Sequence, residues 1–331
     1  MLQRLDYIDR NKGLAILLMI FAHTAPGEIC NTVIFSFHMP IFFIICGILT
    51  AYRYGDVVEK KDVMRTLYRR IRQLGIPYLF FGFLLVVFYA CLDYLSSHTF
   101  EFQDRLLALL TLQGVDSLWF IPCYFLAEIL LLLSLCGHRH QMVTIFSFLT
   151  IVSIMLYFMF FPAPELSCMR VLFKVLIAYS FAGIGYCLQS YQILAIQKLP
   201  PPICILMLLP FLFLALLNGQ VGIGALELKN PVLLYVNAIS ISILLFSILG
   251  QSQYMHLNNM LSFFGKNSIV LLCTNNLLIE SIRIVDYKVF GNVLLEWGIW
   301  GCFLLWLILL AMAIPLIMLV EKTRMSVLFG K

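Results

Sequence analysis

The sequence predicts an all-α fold, a polytopic membrane helix bundle of about ten transmembrane helices forming a single domain over residues 1–331. Three observations carry this. Hydrophobic side chains make up 62% of the chain and charged ones 12%, with a mean hydropathy of +0.97, too apolar to fold around one aqueous core without an oily exterior. Ten apolar stretches approach the roughly 20 residues that cross a hydrocarbon layer: 13–29, 31–52, 75–95, 117–136, 142–161, 171–190, 202–218, 231–250, 267–285 and 292–319. The longest gaps between them, 53–74, 96–116 and 251–266, are too short for a separate core and show no repeat or low-complexity run.

The first stretch, KGLAILLMIFAH, runs from Lys12 to His23 with no ionisable side chain between them. Eleven residues are three helical turns to within a small angle, so both ends project from one face, about 16 Å apart along the axis. An ionisable group at depth faces a bundle interior or a wet cavity, and an imidazole serves as general base near neutral pH. A histidine hydrogen-bonded to a neighbouring helix, or lying at the far interface, fits the same stretch. No small-residue cleavage site follows, so the segment reads as a span rather than a signal peptide.

In FSFHMPIFFIICG, His38 opens the second span and Pro40 sets its first turn or a kink. A tight turn through TAPGEICN is expected to place His23 and His38 on adjacent antiparallel helices at similar depth, two stacked bases in an apolar bundle. They are the candidate catalytic pair, against the alternative of hydrogen bonds that only orient the helices.

Before the third span, MRTLYRRIRQLGIPY puts Arg65, Arg69 and Arg72 on one helical stripe with Arg70 beside it. Such a cluster retains a loop on the cytoplasmic side and equally suits the phosphates of an anionic, nucleotide-bearing donor. Further along, Glu128 lies within LWFIPCYFLAEIL, and Asn275, Asn276 and Glu280 within NSIVLLCTNNLLIESIR, where Asn276, Glu280 and Arg283 share a face. These polar groups are either interhelical hydrogen-bonding partners or the lining for a hydroxyl-rich acceptor. Lys174 and Glu296 lie nearer span ends, where snorkelling accommodates them.

With both termini cytoplasmic, the cytoplasmic segments hold 16 of the 22 Lys and Arg, and the other side holds Arg105, Arg170, Lys174, Lys229, Arg283 and Lys288. The net charge of +5 is therefore a topology signal beside lipid headgroups, with membrane lipid rather than nucleic acid as the partner. Ten cysteines are scattered singly through apolar stretches with no ligand spacing, so they read as small packing residues and no metal is expected.

Taken together, DYIDRNKGLAILLMIFAH, FSFHMPIFFIICGIL, RRIRQLGIPY, LWFIPCYFLAEIL and GKNSIVLLCTNN, in this order over about residues 5–280, resemble the membrane-bound acyltransferase 3 family, most closely its fucose-4-O-acetylase-like branch. The resemblance implies a ten-helix bundle in a bacterial inner membrane that passes an acyl group, usually acetyl from acetyl-CoA, to a hydroxyl of a cell-envelope sugar, polysaccharide or glycolipid. It implies that His23 is catalytic, with His38 orienting it or sharing charge. Lys12, Arg69, Arg70 and Arg72 would hold the coenzyme A phosphates. Trp119, Glu128, Asn275 and Asn276 are the candidate substrate-binding residues, and a homo-oligomer is compatible with the reading.

Three positions depart from the family pattern: Lys12 stands where most members have arginine, Cys46 where a serine is usual, and Asn275 where a histidine often ends the late motif. Ten helices with buried polar residues also suit a transporter or flippase for an envelope lipid or polysaccharide. Against that, no corresponding pair of Gly/Pro-broken segments occurs in the two halves. A membrane sensing domain is disfavoured by the retained histidine pair.

Overall fold

The computed structural model describes residues 5–55, 58–96, 101–136, 140–193 and 199–330. Arg4, Arg139, Lys198 and Lys331, which enter the charge asymmetry, lie outside the described residues. The helices are α1 (Asp6–His23), α2 (Glu28–Phe35), α3 (His38–Tyr54), α4 (Lys60–Arg70), α5 (Ile76–Ser96), α6 (Phe102–Leu110), α7 (Phe120–Leu135), α8 (His140–Phe160), α9 (Ser167–Ser190), α10 (Pro201–Asn218), α11 (Pro231–Gln251), α12 (Met255–Lys266), α13 (Ser268–Val285), α14 (Val293–Glu296) and α15 (Ile299–Lys322). The protein is an all-α polytopic bundle, with no β-strand among the described residues.

Nine helical segments among the described residues are long and apolar enough to cross a membrane. The remaining expected span, α1, starts earlier than its apolar run and carries Asp6, Asp9, Arg10 and Lys12 in its first two turns. It tolerates those charges because it is the central helix of the bundle, packed by α2, α3, α11, α12, α13 and α15 rather than by lipid.

The structure corrects several boundaries. The tight turn is confined to residues 24–27, and Glu28 to Phe35, assigned partly to the turn, is helical. α2 and α3 together form a segment of 27 residues, broken at Ser36 and Phe37 just before His38. Pro40 falls in the first turn of α3, where its missing N–H leaves no vacancy in the ladder. The gap 251–266 is occupied by α12, too short and too polar to register as a span.

The basic gap is helical as well. α4 passes through a π turn, Ile71–Gly75, directly into α5. A π turn holds more residues than an α turn, so the α-helical register of the arginines is lost within it. Arg65 and Arg72 are exposed, Arg69 is half-buried, and Arg70, beside that stripe, points into the bundle.

Two helix pairs approach through glycines. A Cβ on Gly13 of α1 would collide with the carbonyl oxygen of Leu261 in α12, and one on Gly265 with that of Asp9. Gly47 of α3 and Gly185 of α9 lie equally close to the carbonyls of Ala182 and Ile44. Lipid offers no hydrophobic drive for helix pairing, so close backbone approach at small residues supplies the van der Waals contact instead. These seams fix α1 and α3, the two helices that carry the histidines. Four cysteines, Cys46, Cys123, Cys204 and Cys273, are buried in the packing.

Candidate active site

Residues 12, 16, 19 and 23 of α1 follow one another at helical spacing, and that single face lines two adjoining cavities. The first, about 320 Å³, contains Lys12, Arg70, Gln73, Tyr124 and Lys266. The second, about 290 Å³, contains His23, His38, Ser117 and Trp119. Met19, Met39 and Leu272 line both, so the cationic cavity and the histidine cavity abut through a neck of three flexible apolar side chains. The axial distance from Lys12 to His23, about 16 Å by helical rise, is spanned by the two in series.

Both imidazoles are held in the same way. His23 Nδ1 lies 2.9 Å from the carbonyl oxygen of Met19, one turn back on α1. His38 Nδ1 lies 2.8 Å from the carbonyl of Ile34, across the break between α2 and α3. A carbonyl only accepts, so each Nδ1 is the protonated nitrogen and each neutral ring keeps its basic lone pair on Nε2. The expected stack of two bases is replaced by a sandwich: the Phe35 ring packs against both, with centroids 6.4 Å from His23 and 5.2 Å from His38. His38 is buried, whereas His23 is partly open to its cavity.

The carbonyl at the end of α1 is tied down from α13. Arg283 Nη2 lies 3.4 Å from the oxygen of His23 and 3.3 Å from that of Thr24, and Nη1 donates to Glu280 Oε1 at 3.0 Å. The polar face of Glu280 and Arg283 therefore looks inward at the histidine-bearing terminus. Asn275 lines neither cavity. It accepts a hydrogen bond from Ser117 Oγ at 3.1 Å and donates to the thioether of Met19 at 3.5 Å, bracing the residue that forms the neck. Asn276 is half-buried and lines neither cavity.

The four candidate donor-binding cations separate. Lys12 and Arg70 face one another across the first cavity, while Arg69 and Arg72 do not line it. Arg69 is half-buried, with Nε and Nη2 enclosed and lacking a hydrogen-bond partner among the described residues, and Arg72 is exposed. Arg70 Nε stands 2.7 Å from Glu128 Oε2 and Nη2 donates to Oε1 at 2.9 Å, with the guanidinium 5.9 Å from the Tyr124 ring centroid. Glu128 is thus taken up by Arg70 and lines neither cavity, whereas Trp119 forms a wall of the histidine cavity.

Lys266, Gln73 and Tyr124 line the first cavity although the sequence alone did not single them out. Lys266 stands in the quoted GKNS run, so a signal existed. It joins the site because α12 folds back along α1, a long-range contact that periodicity does not encode. The turn over residues 220–227, which closes the histidine cavity, left no comparable signal.

The acyltransferase 3 family model, described as an acyltransferase domain, matches residues 5–322. Comparisons with curated proteins and with solved structures give no significant match. A cationic cavity adjoining one that holds two imidazoles, on a helix bundle built to lie in a membrane, suits acyl transfer, and with the family match spanning nearly the whole chain the protein belongs to the acyltransferase 3 family of membrane acyltransferases.

Proposed function

We propose that the protein transfers an acyl group, acetyl foremost, from acyl-CoA to a hydroxyl of a cell-envelope sugar, polysaccharide or glycolipid, within the fucose-4-O-acetylase-like branch of its family. The observation that carries this reading is the single face of α1 with Lys12 in one cavity, His23 in the next and Met19 at the neck between them. The phosphates of coenzyme A are met by Lys12, Arg70 and Lys266, from the cytoplasmic side given the excess of basic residues there. The pantetheine arm, uncharged and slender, passes the methionine-lined neck and presents its thioester to the histidine cavity.

His23 Nε2 takes the proton of the acceptor hydroxyl as its oxygen attacks the thioester carbonyl. The tetrahedral intermediate collapses with cleavage of the C–S bond, and the imidazolium returns the proton to the departing thiolate. The ester, the free thiol and a neutral His23 remain. His38, fixed in the same tautomer behind Phe35, supports the charge that forms on His23. No metal is required by this sequence of steps.

The test is transfer of label from acetyl-CoA into envelope glycan or lipid by membranes carrying wild-type protein or His23→Ala at equal abundance. Label entering with wild type and lost with the variant supports the reading. Equal incorporation by the two preparations, or none by either with native acceptor present, overturns it.

A further inference from the structure

The connection between α10 and α11 is a closed turn seated over the histidine cavity, at the opposite end of α1 from Lys12. Gly222 and Glu227 exchange both backbone hydrogen bonds, at 2.8 and 3.0 Å, and Asn218 Oδ1 accepts from the Asn230 N–H at 2.8 Å to close the base. Arg170 reaches across from α9, donating to the Ala225 carbonyl at 3.0 Å and to that of Pro164 at 3.4 Å. Leu226 is buried with φ of +63°, a backbone region costly for a branched side chain and retained where the surroundings over-determine it. Gly224 rests on Trp119 so closely that a Cβ there would lie 2.7 Å from the indole Nε1.

The turn is therefore pinned at four points, and the two polar side chains it brings to the cavity, Gln220 and Glu227, carry no helix or core role. Both are exposed. Glu227 is the one carboxylate among the described residues lining the histidine cavity, and no Lys or Arg lines it with the carboxylate. Lys174 stands behind the wall, 5.5 Å from the Trp119 ring centroid, without reaching the lining.

Resting on the acyl-transfer reading above, we propose that this turn selects the acceptor: Trp119 and Gly224 form an apolar shelf for a sugar ring, Gln220 hydrogen-bonds its hydroxyls, and Glu227 excludes anionic acceptors in favour of uncharged ones. Even at the exposed rim of the mouth, a carboxylate repels a second one held about 4 Å away by about 1 kcal/mol, and by more where the indole wall displaces water. A neutral glycoside meets no such repulsion. The specificity is a difference of affinities created by a repulsive element.

The experiment uses the full chain in nanodiscs with acetyl-CoA and two probes of equal size, methyl glucoside and methyl glucuronide, reading O-acetyl glycoside formed. Wild type is expected to favour the glucoside at least tenfold in kcat/KM. Glu227→Gln is expected to bring the ratio to within threefold, Glu227→Lys to invert it, and Gln220→Glu to widen it. Because each ratio is internal to one preparation, reduced abundance or partial misfolding of a variant cancels. A ratio unmoved by both Glu227 variants, or a wild-type preference for the glucuronide, overturns the assignment. Label entering envelope material while neither glycoside is acetylated or competes overturns the sugar shelf and leaves acyl transfer standing. Thiol release that is acceptor-independent and identical in wild type and His23→Ala overturns both.

Discussion

Arg283 Nη2 lies 3.4 Å from the carbonyl oxygen of His23, so a guanidinium on α13 holds the terminus of the helix that presents the candidate base. Glu280 fixes the other arm at 3.0 Å. Hydrogen bonds from charged donors contribute about 1.5–3 kcal/mol, and these are long, so the lower figure applies. Arg283→Ala is expected to lower the rate of acyl transfer about tenfold with little change in the KM for acyl-CoA, and Arg283→Lys to recover part of it. Steady-state kinetics on the two variants check this; an unchanged kcat in Arg283→Ala would remove the positioning role.

His23 and His38 differ in exposure although each is locked through Nδ1 to a carbonyl one turn back. General-base catalysis contributes about 10²–10⁴-fold, so His23→Gln is expected to lose at least about 100-fold. His38→Gln, removing a residue that does not meet the acceptor directly, is expected to lose about tenfold. Transfer by wild type should fall as pH falls, because protonation of His23 Nε2 removes the lone pair that accepts the hydroxyl proton. The residual activity of His23→Gln should lack that acid limb, which a pH–rate profile of both proteins reads directly.

Arg70 and Glu128 form a two-point ion pair at 2.7 and 2.9 Å inside the bundle. Removing one partner strands the other, at a cost of about 3–5 kcal/mol. Glu128→Ala is expected to lower the thermal unfolding midpoint clearly, while Arg70→Met with Glu128→Leu regains much of the stability yet binds acyl-CoA poorly because a cavity cation is gone. Thermal unfolding and donor binding measured together separate the two roles. Matching loss of stability in the single and double variants would count against the pair.

Gly265 packs against the carbonyl of Asp9 without room for a methyl group. Overpacking costs about 1–3 kcal/mol where a core can adjust, and here the obstacle is backbone on both sides. Gly265→Ala is expected to lower folded yield and to push α12 from α1, moving Lys266 away from Lys12. Cysteines placed at 12 and 266 should then cross-link less readily in Gly265→Ala than in its parent; equal cross-linking would show that the seam yields without consequence.

Asn275 stands where a histidine often ends the family's late motif, and the structure gives it the bracing of Met19 rather than a place in either cavity. Asn275→Leu is expected to cut transfer severalfold by loosening the neck, and Asn275→His, which keeps a donor, to be milder. Transfer rates of the pair at equal abundance distinguish these.

The solvent, the membrane-spanning helices and the shared face of Lys12 and His23 are legible along the chain, because hydropathy, helical period and charge are properties of neighbours in sequence. The sequence carried the family as well, since the motifs that mark it are short and contiguous. The pairing of Arg70 with Glu128, the return of α12 along α1, the π turn that joins α4 to α5 and the closure of the histidine cavity by residues 220–227 were decided only in three dimensions. Each depends on groups brought together from distant parts of the chain, or on backbone register that side-chain periodicity does not report. An apolar stretch records that it belongs in a membrane; which of its faces meets a cavity is set by the helices that surround it.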